Sequence, residues 1–395
     1  MKTKNVNRYN VPSDWKVDNL GNVTNNFDSK RVPLSTMERS KKKGPFPYYG
    51  AAKIIDYIDD YIFDGEYCLI AEDGSVIKKD KTPFLQLLNG KFWPNNHTHV
   101  ISAKHPLNNK YLFYYLSGID ISPFITGAAQ PKINQKNLNK IPIVIPPKNI
   151  MNKIASILSN YDKLKENNTR RIEILKEMAQ RIYKEWFVDF KYPGHENDKL
   201  VDSELGMIPE GWEVNEFGNS IKFQRGKNLT KKQMVEGDIP VVSAGIKPSG
   251  FHNISNVTGP IVTVSASGAN AGYISLYLRD VWAADCSYFN HESTDFFFYF
   301  YCLINSRKRE VNNMQRGAAQ PHVYPKDLMS LLVINPPENL IEKFEEISKP
   351  IFYQVGNFRK KNIILTQTRD YLLPKLISGK VDVSDLDIDT SILDE

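Results

Sequence analysis

Only three cysteines occur in the 395 residues, Cys68, Cys286 and Cys302, and none belongs to a CxxC pair. So sparse and odd a set argues against a disulfide scaffold and predicts a reducing compartment, the cytoplasm. Long apolar runs are missing as well. The most apolar stretch, FFFYFYCLI at 296–304, is too short for a bilayer, so no membrane span is expected. The opening MKTKNVNRYN has no apolar centre, and no signal peptide is expected. No glycine-rich loop follows a strand in the dinucleotide pattern, and there is no P-loop and no GxSxG elbow. The acid pairs Asp59-Asp60 and Asp64-x-Glu66 read as turn acids, not as a nuclease centre. These absences predict a chain with no catalytic residue and no metal site of its own.

What the sequence does have is a duplication. GAAQP occurs at 127–131 and again at 317–321. At the same offset Lys136 meets Lys326, Leu138 meets Leu328, and Pro146-Pro147 meets Pro336-Pro337. Further on Lys153 meets Lys343, Ile157 meets Ile347, and Ile174-Leu175 meets Ile364-Leu365. Upstream the register slips. VPSDWKV at 11–17 matches IPEGWEV at 208–214, LIAEDG at 69–74 matches TVSASG at 263–268, and Trp93 matches Trp282. Two tandem copies of one unit follow, each with a variable front and a back of fixed length.

Bulk composition is ordinary for a globular protein, with 41% hydrophobic and 24% charged residues, so each copy can have its own core. The net charge of +6 hides a more basic body. The final segment, VDVSDLDIDTSILDE, has six acids and no Lys or Arg; without it the charge rises to +12. Such a surplus suits a polyanionic partner, although a merely soluble basic surface gives the same number.

The backs read as long helices. Ile150, Ile154, Ile157, Tyr161 and Leu164, then Ile172, Leu175, Ala179, Ile182 and Trp186, form one apolar stripe with a shift near Asn168. The second copy supplies Leu340, Phe344, Ile347, Ile351, Val355, Phe358, Leu365 and Leu372. Pro350 is expected to kink or break that helix near Ser348. Two narrow stripes most simply bury against each other, antiparallel, as a coiled coil. The fronts read as mixed α/β. EYCLIAE and THVISA look like strands and NKYLFYYLSG like a helix; GPIVTVSASGANAGYI and VWAADCSYF are strand-rich, with a helix over 296–306. The fold class is therefore α+β, two tandem α/β portions separated by two long helices.

Candidate contacts to nucleic acid are the clusters Lys41, Lys42 and Lys43 and, at the corresponding place in the second copy, Arg225, Lys227, Lys231 and Lys232. They can neutralise phosphates, and equally can be solvated loops. Around the pentapeptides stand Gln130, Lys132, Arg316, Gln320 and His322. Gln130 and Gln320 are able to pair with an adenine edge, while the pentapeptide itself reads first as a structural turn. In HTH at 97–99, two imidazoles on one strand face suggest a metal pair. Their counterparts are Cys286 and Tyr288 and no third ligand is expected, which favours packing. NPPE at 335–338 resembles the tetrapeptide of adenine methyltransferases but carries Glu338 at the aromatic position, so the diproline reads as a strand stop.

Taken in order, YYGAAKIIDYIDDYIFDGEYCLIAEDGSV, FWPNNHTHV, the two GAAQP…PP segments, EWFVDFKYP…ELGMIPEGWEV, LTKKQMVEGDIPVVSAGIKPSGFHN and LLPKLISGKVDV resemble the specificity (S) subunits of Type I restriction–modification systems. The resemblance covers essentially the whole chain. It implies target-recognition domain 1 at 1–148, a central helical spacer at 149–192, a linker with target-recognition domain 2 at 193–338, a second spacer at 339–380 and an acidic tail at 381–395. It implies a non-catalytic subunit in which each domain reads half of a bipartite target on double-stranded DNA. The helices would set the spacing and dock methyltransferase (M) subunits, two of them, with restriction/translocase (R) subunits joining. S-adenosylmethionine, ATP and Mg would belong to those partners, with none bound here. A single-chain DNA methyltransferase or nuclease, or a coiled-coil adaptor without a DNA role, is the alternative.

Overall fold

The computed structural model describes residues 11–127, 130–317 and 321–393, with Ile392 in its backbone alone. Gln320 and the alanines of both pentapeptides lie outside the described residues. The chain divides into two compact units, one made of the residues up to Glu166 together with those from Ile363, the other Asn167–Asn362. No helix among the described residues is long and apolar enough to cross a membrane.

The first unit is built on a six-stranded sheet. Its order is Thr24–Asn26, Thr98–Ala103, Phe63–Ala71, Leu85–Pro94, Lys43–Tyr49 and Ile54–Ile58. Phe63–Ala71 is central, and its end Cys68-Leu69-Ile70-Ala71 is buried on both faces, which explains a continuous apolar run where an exposed strand would alternate. One pairing is parallel, Tyr48 opposite Trp93. A separate two-stranded ladder, Lys16–Asn19 with Pro142–Ile145, closes the front onto the start of a long helix.

The second unit repeats these neighbours. Gln224–Arg225, Cys286–Asn290, Ile261–Ser265 and Ile274–Tyr277 form four strands; Gly250–His252, Ile239–Val242 and Trp282–Ala283 form three. Val241 lies parallel to Trp282 as Tyr48 does to Trp93. The single strand Leu85–Pro94 is thus divided here into two pieces, Ile274–Tyr277 and Trp282–Ala283. Glu213–Glu216 pairs with Leu332–Asn335 as the closing ladder.

The long helices run Lys148–Phe187 and Glu338–Ile377. In the first unit Ile150, Ile154 and Leu158 share a core with Tyr111 and Tyr115 of the helix Asn109–Ser117 and with Leu373, Leu376 and Ile377. In the second unit Tyr183 and Phe187 pack on Tyr299 and Phe344. Each stripe is therefore shared between the other long helix and a helix of the front portion. Within the second unit Asn168 meets Asn362, Arg171 meets Phe358 and Tyr183 meets Phe344, so the helices are antiparallel.

Two details depart from the sequence reading. The second helix passes through Pro350 unbroken. Proline removes one backbone donor at a cost of about 3 kcal/mol, but burial of Phe344, Ile351, Phe352 and Val355 on either side holds the helical path. Leu164 and Ile347, assigned to the stripes, are exposed, while Leu158 and Phe352, not assigned to them, are buried. The shift at Asn168 has a direct cause: its amide donates to Oδ1 of Asn362 at 3.0 Å, and the Asn362 amide donates to Thr169 Oγ1 at 3.2 Å. A polar pair inserted in an apolar seam fixes helix register, because a slip would strand both amides.

Candidate nucleic-acid interface

Backbone pairing flanks each pentapeptide, so the chain returns on itself as a small hairpin base. Thr126 and Lys132 exchange backbone hydrogen bonds at 2.8 and 2.7 Å, and Arg316 and His322 do the same at 2.9 Å both ways. Gly127 (φ +88°) and Gly317 (φ +97°) turn the chain through the left-handed region, which glycine enters without penalty. A Cβ at Gly127 would stand 2.3 Å from the Gln130 carbonyl oxygen. The hairpin base is tied to the end of the central strand in the same way twice. The Ile133 amide donates to Glu72 O at 2.9 Å, and the Val323 amide to Ala266 O at 3.1 Å. Gln130 and Lys132 are exposed on the first hairpin, as is Arg316 on the second; His322 is half-buried.

Under the first hairpin sits a buried polar pin. His99 donates from Nε2 to Ile133 O at 2.8 Å, and its Nδ1 lies 2.5 Å from Asp28 Oδ2. Asp28 also accepts from the Val100 amide at 3.0 Å. Arg31 donates to Glu72 at 2.6 Å and to Thr98 O at 2.8 Å. Asp28, Glu72 and His99 offer ligand atoms within 4.8 Å of one another, so carboxylates do gather where no third ligand was expected. The Arg31 guanidinium stands among them, and both imidazole nitrogens are engaged, so the group works as a hydrogen-bonded pin. His97 takes no part. It precedes the strand Thr98–Ala103 and contacts Asp73 at 2.7 Å. Strand register also moves the counterpart of His99: Ile70 faces His99 and Val264 faces Ser287, so Ser287, not Tyr288, occupies the equivalent place.

In the second unit the contacts form a chain. Arg225 pairs with Asp285 at 2.5 Å, Asp285 accepts from Ser267 Oγ, and Ser267 bridges to His322 through the backbone. Arg316 pairs with the buried Asp327 at 2.6 Å. His322 stacks on Tyr324, ring centroids 5.8 Å apart at 15°, and Lys326 lies 6.0 Å over the same tyrosine ring. Arg225, Arg316 and His322 are thus brought together. Tyr324, 43% exposed, joins them although nothing in its sequence context marked it.

The lysine clusters divide differently. Lys42 pairs with Asp59 at 3.8 Å and Lys43 with Asp56 at 2.5 Å, so two of the first three cations are already neutralised. Lys41, Lys227, Lys231 and Lys232 are exposed. The clusters do not occupy equivalent places. Capping boxes at Ser35/Glu38 and Thr230/Gln233 start the equivalent turns, and the indoles of Trp93 and Trp282 donate to Val32 O and Lys227 O just before them. Lys231 and Lys232 therefore open the second turn, whereas Lys41 closes the first. Asp60 is a turn acid, accepting from the next amide, but Asp64 and Glu66 lie within the strand Phe63–Ala71. Asn335 ends a strand and Glu338 opens the second long helix, with the diproline between them.

Comparisons with known proteins agree with this architecture. A family described as Type I restriction modification DNA specificity domain matches residues 12–177. The chain is 24% identical to the specificity subunit of the Type I restriction enzyme MjaIX of Methanocaldococcus jannaschii, over 95% of each chain. It is 34% identical to a putative Type I restriction enzyme specificity subunit of Haemophilus influenzae, over 62% of this chain and 59% of that one. The crystal structure of a Type I restriction–modification S subunit from M. genitalium superposes with a TM-score of 0.60 at 20% identity, covering 95% of this chain and 98% of that one, a likeness of fold.

Proposed function

We propose that this chain, which belongs to the family of Type I restriction–modification specificity subunits, selects the DNA sequence on which its complex acts. Each front portion reads one half of a split target on double-stranded DNA. The observation that carries this reading is the repeated hairpin, held twice on the end of the central strand by the same backbone bonds, with exposed polar or basic side chains at its base. Phosphate contacts from Lys227, Lys231 and Lys232 would position the protein, and base-edge contacts from the hairpins would specify.

The chain performs no chemical step itself in this reading. Methyltransferase subunits, two per chain, dock on the long helices, and restriction subunits join them. S-adenosylmethionine, ATP and Mg are held by those partners. The antiparallel helices keep the two readers a fixed number of base pairs apart, and a fixed gap follows.

The test is co-expression with the Type I methyltransferase subunit from the same source, followed by mapping of methylated adenines by single-molecule sequencing. A two-part motif with a constant gap is expected. Methylation at an undivided motif, or none from a stable complex, would overturn the proposal.

A further inference from the structure

Four of the nine lysines and arginines singled out as candidates, Lys42, Lys43, Arg225 and Arg316, are committed to carboxylates, and a further group of unpaired charges lies on the long helices. Over 167–172 of the first long helix and 355–362 of the second there is no Asp or Glu, yet Arg170, Arg171, Arg359, Lys360 and Lys361 fall there. Arg359 is used internally, donating to Leu276 O at 3.0 Å. The other four are exposed, and none forms an ion pair among the described residues. Arg171 and Lys361 both lie 5.6 Å from the centroid of one ring, Phe358.

From Glu173 to the end of the first helix each cation is matched with an acid. Lys176 pairs with Glu173, Arg181 with Glu177 and Lys184 with Asp189. Arg171 reaches the Phe358 ring across the helix pair, while the hydrogen bonds that join the helices come from Asn168, Asn362 and Thr169 a turn away. Unscreened like charges gathered on one ring cost stability, and a bound polyanion offsets that cost. The patch itself centres on four charges, with Asn167, Gln354 and Asn357 beside it and the exposed Ile174 and Tyr353 only at its flanks, whereas a protein-binding patch centres on apolar anchors.

We infer that Arg170, Arg171, Lys360 and Lys361 form a phosphate-binding site for duplex DNA, one that grips the backbone without reading bases. The inference rests on the DNA-recognition reading above and extends it from the front portions to the helices. Arginine supplies planar, fork-shaped donors and lysine mobile point charges, and the Phe358 ring holds one of each side by side.

The test uses the purified complex with its methyltransferase subunits and a variant carrying Arg170→Gln, Arg171→Gln, Lys360→Gln and Lys361→Gln. Affinity for a mixed-sequence duplex is measured across a KCl series. The slope of log K against log salt is expected to flatten by about 2–4, near 0.9 for each phosphate no longer neutralised. The ratio of target to mixed-sequence affinity should stay at the wild-type value, and Lys360→Arg with Lys361→Arg should bind like wild type. Thermal unfolding of the variant checks its fold; should it not fold, Lys360→Gln with Lys361→Gln is read instead, with about half the change in slope. An unchanged slope overturns the inference. So does loss of methyltransferase subunits at an unchanged slope, which would make the patch a protein dock. The wild-type target preference is a separate readout: its absence defeats the recognition reading while leaving the slope informative.

Discussion

Nδ1 of His99 lies 2.5 Å from Oδ2 of Asp28, while Nε2 of the same ring donates to the Ile133 carbonyl at the foot of the first hairpin. Burial alone would push the imidazole pKa down. The hydrogen bond and charge of Asp28, helped by Ile133 O and Glu72, carry it above its ordinary 6.5 instead. Burial would raise Asp28, but the hydrogen bond and charge of His99, with the Val100 amide and Asn26, hold it below 3.8. The raised His99 contributes stability that is complete below pH 6.5 and is lost as pH climbs through its folded pKa. The depressed Asp28 contributes stability that is complete above pH 3.8 and is lost as pH falls through its own. Urea unfolding of the chain against pH should therefore plateau between the two, and Asp28→Asn should flatten both flanks. An alkaline loss that persists undiminished in Asp28→Asn would free this pair of responsibility.

Gly127 sits at φ +88° with no room for a Cβ, which would meet Gln130 O at 2.3 Å. Gly127→Ala must open the hairpin or hold a left-handed alanine, costing about 1–2 kcal/mol locally. Thr126, Gly127, Gln130 and Lys132 are exposed, so the expected result is a small fall in Tm with a much larger loss of preference for one half of the target. Comparing methylation at sites altered in either half measures it. Equal loss at both halves would count against a local effect.

How much of this was legible in the sequence depended on separation along the chain. The offset of 190 that joins Lys136 to Lys326 and the two GAAQP segments runs through backs of constant length, and the helices and hairpins follow from it. Gly127 and Gly317 do take the left-handed conformation expected of turn glycines, and Trp93 and Trp282 do occupy equivalent strands. The ion pairs were hidden because their partners come from other segments of the chain: Asp56 for Lys43, Asp285 for Arg225. A lysine run looks the same whether neutralised or free, so the run at 41–43 drew more weight than Arg171 and Lys361. The pin around His99 needed Asp28, 71 residues away, and only strand register brings the two together. Pro350 does not break the helix: the local penalty was legible and the burial that outweighs it was not.

Glu345 offers a test of how the second front portion is anchored. Its carboxylate, on the second long helix, accepts from the amides of Phe298 at 3.2 Å and Tyr299 at 2.9 Å, at the start of the helix Phe297–Ser306. Burial pushes its pKa up, with the two amides working the other way. Glu345→Ala leaves both amides unpaired in a closed core, a loss of about 2–4 kcal/mol, and Glu345→Gln, which keeps an acceptor, should lose much less. Differential scanning calorimetry on the two variants decides it; equal losses would mean that the side chain acts by packing alone.

The closing ladders supply matched graft points. Asn19 faces Pro142, and Glu216 faces Leu332, at the two ends of equivalent strand pairs. Replacing 20–141 by 217–331 leaves both ladders and both long helices intact, and the grafted front meets equivalent helix positions, with Ile154 and Leu373 where it left Phe344 and Tyr183. The packing partners are not identical: Leu20 is buried where Phe217 stands in the second unit, and Gly21 closes on Asn139 as Gly218 does on Met329. Transferring the whole front moves each of these pairs together, which keeps volume matched inside the graft. The resulting chain carries one reader twice. Its methylated motif should then consist of the same half-sequence in both parts, with the original gap, because the helices that hold the gap are untouched. Adenine methylation mapping in a host expressing the graft with its methyltransferase subunit reads both quantities at once. A changed gap would mean that the fronts contribute to spacing, and a motif whose two halves still differ would mean that sequence is read outside 20–141 and 217–331.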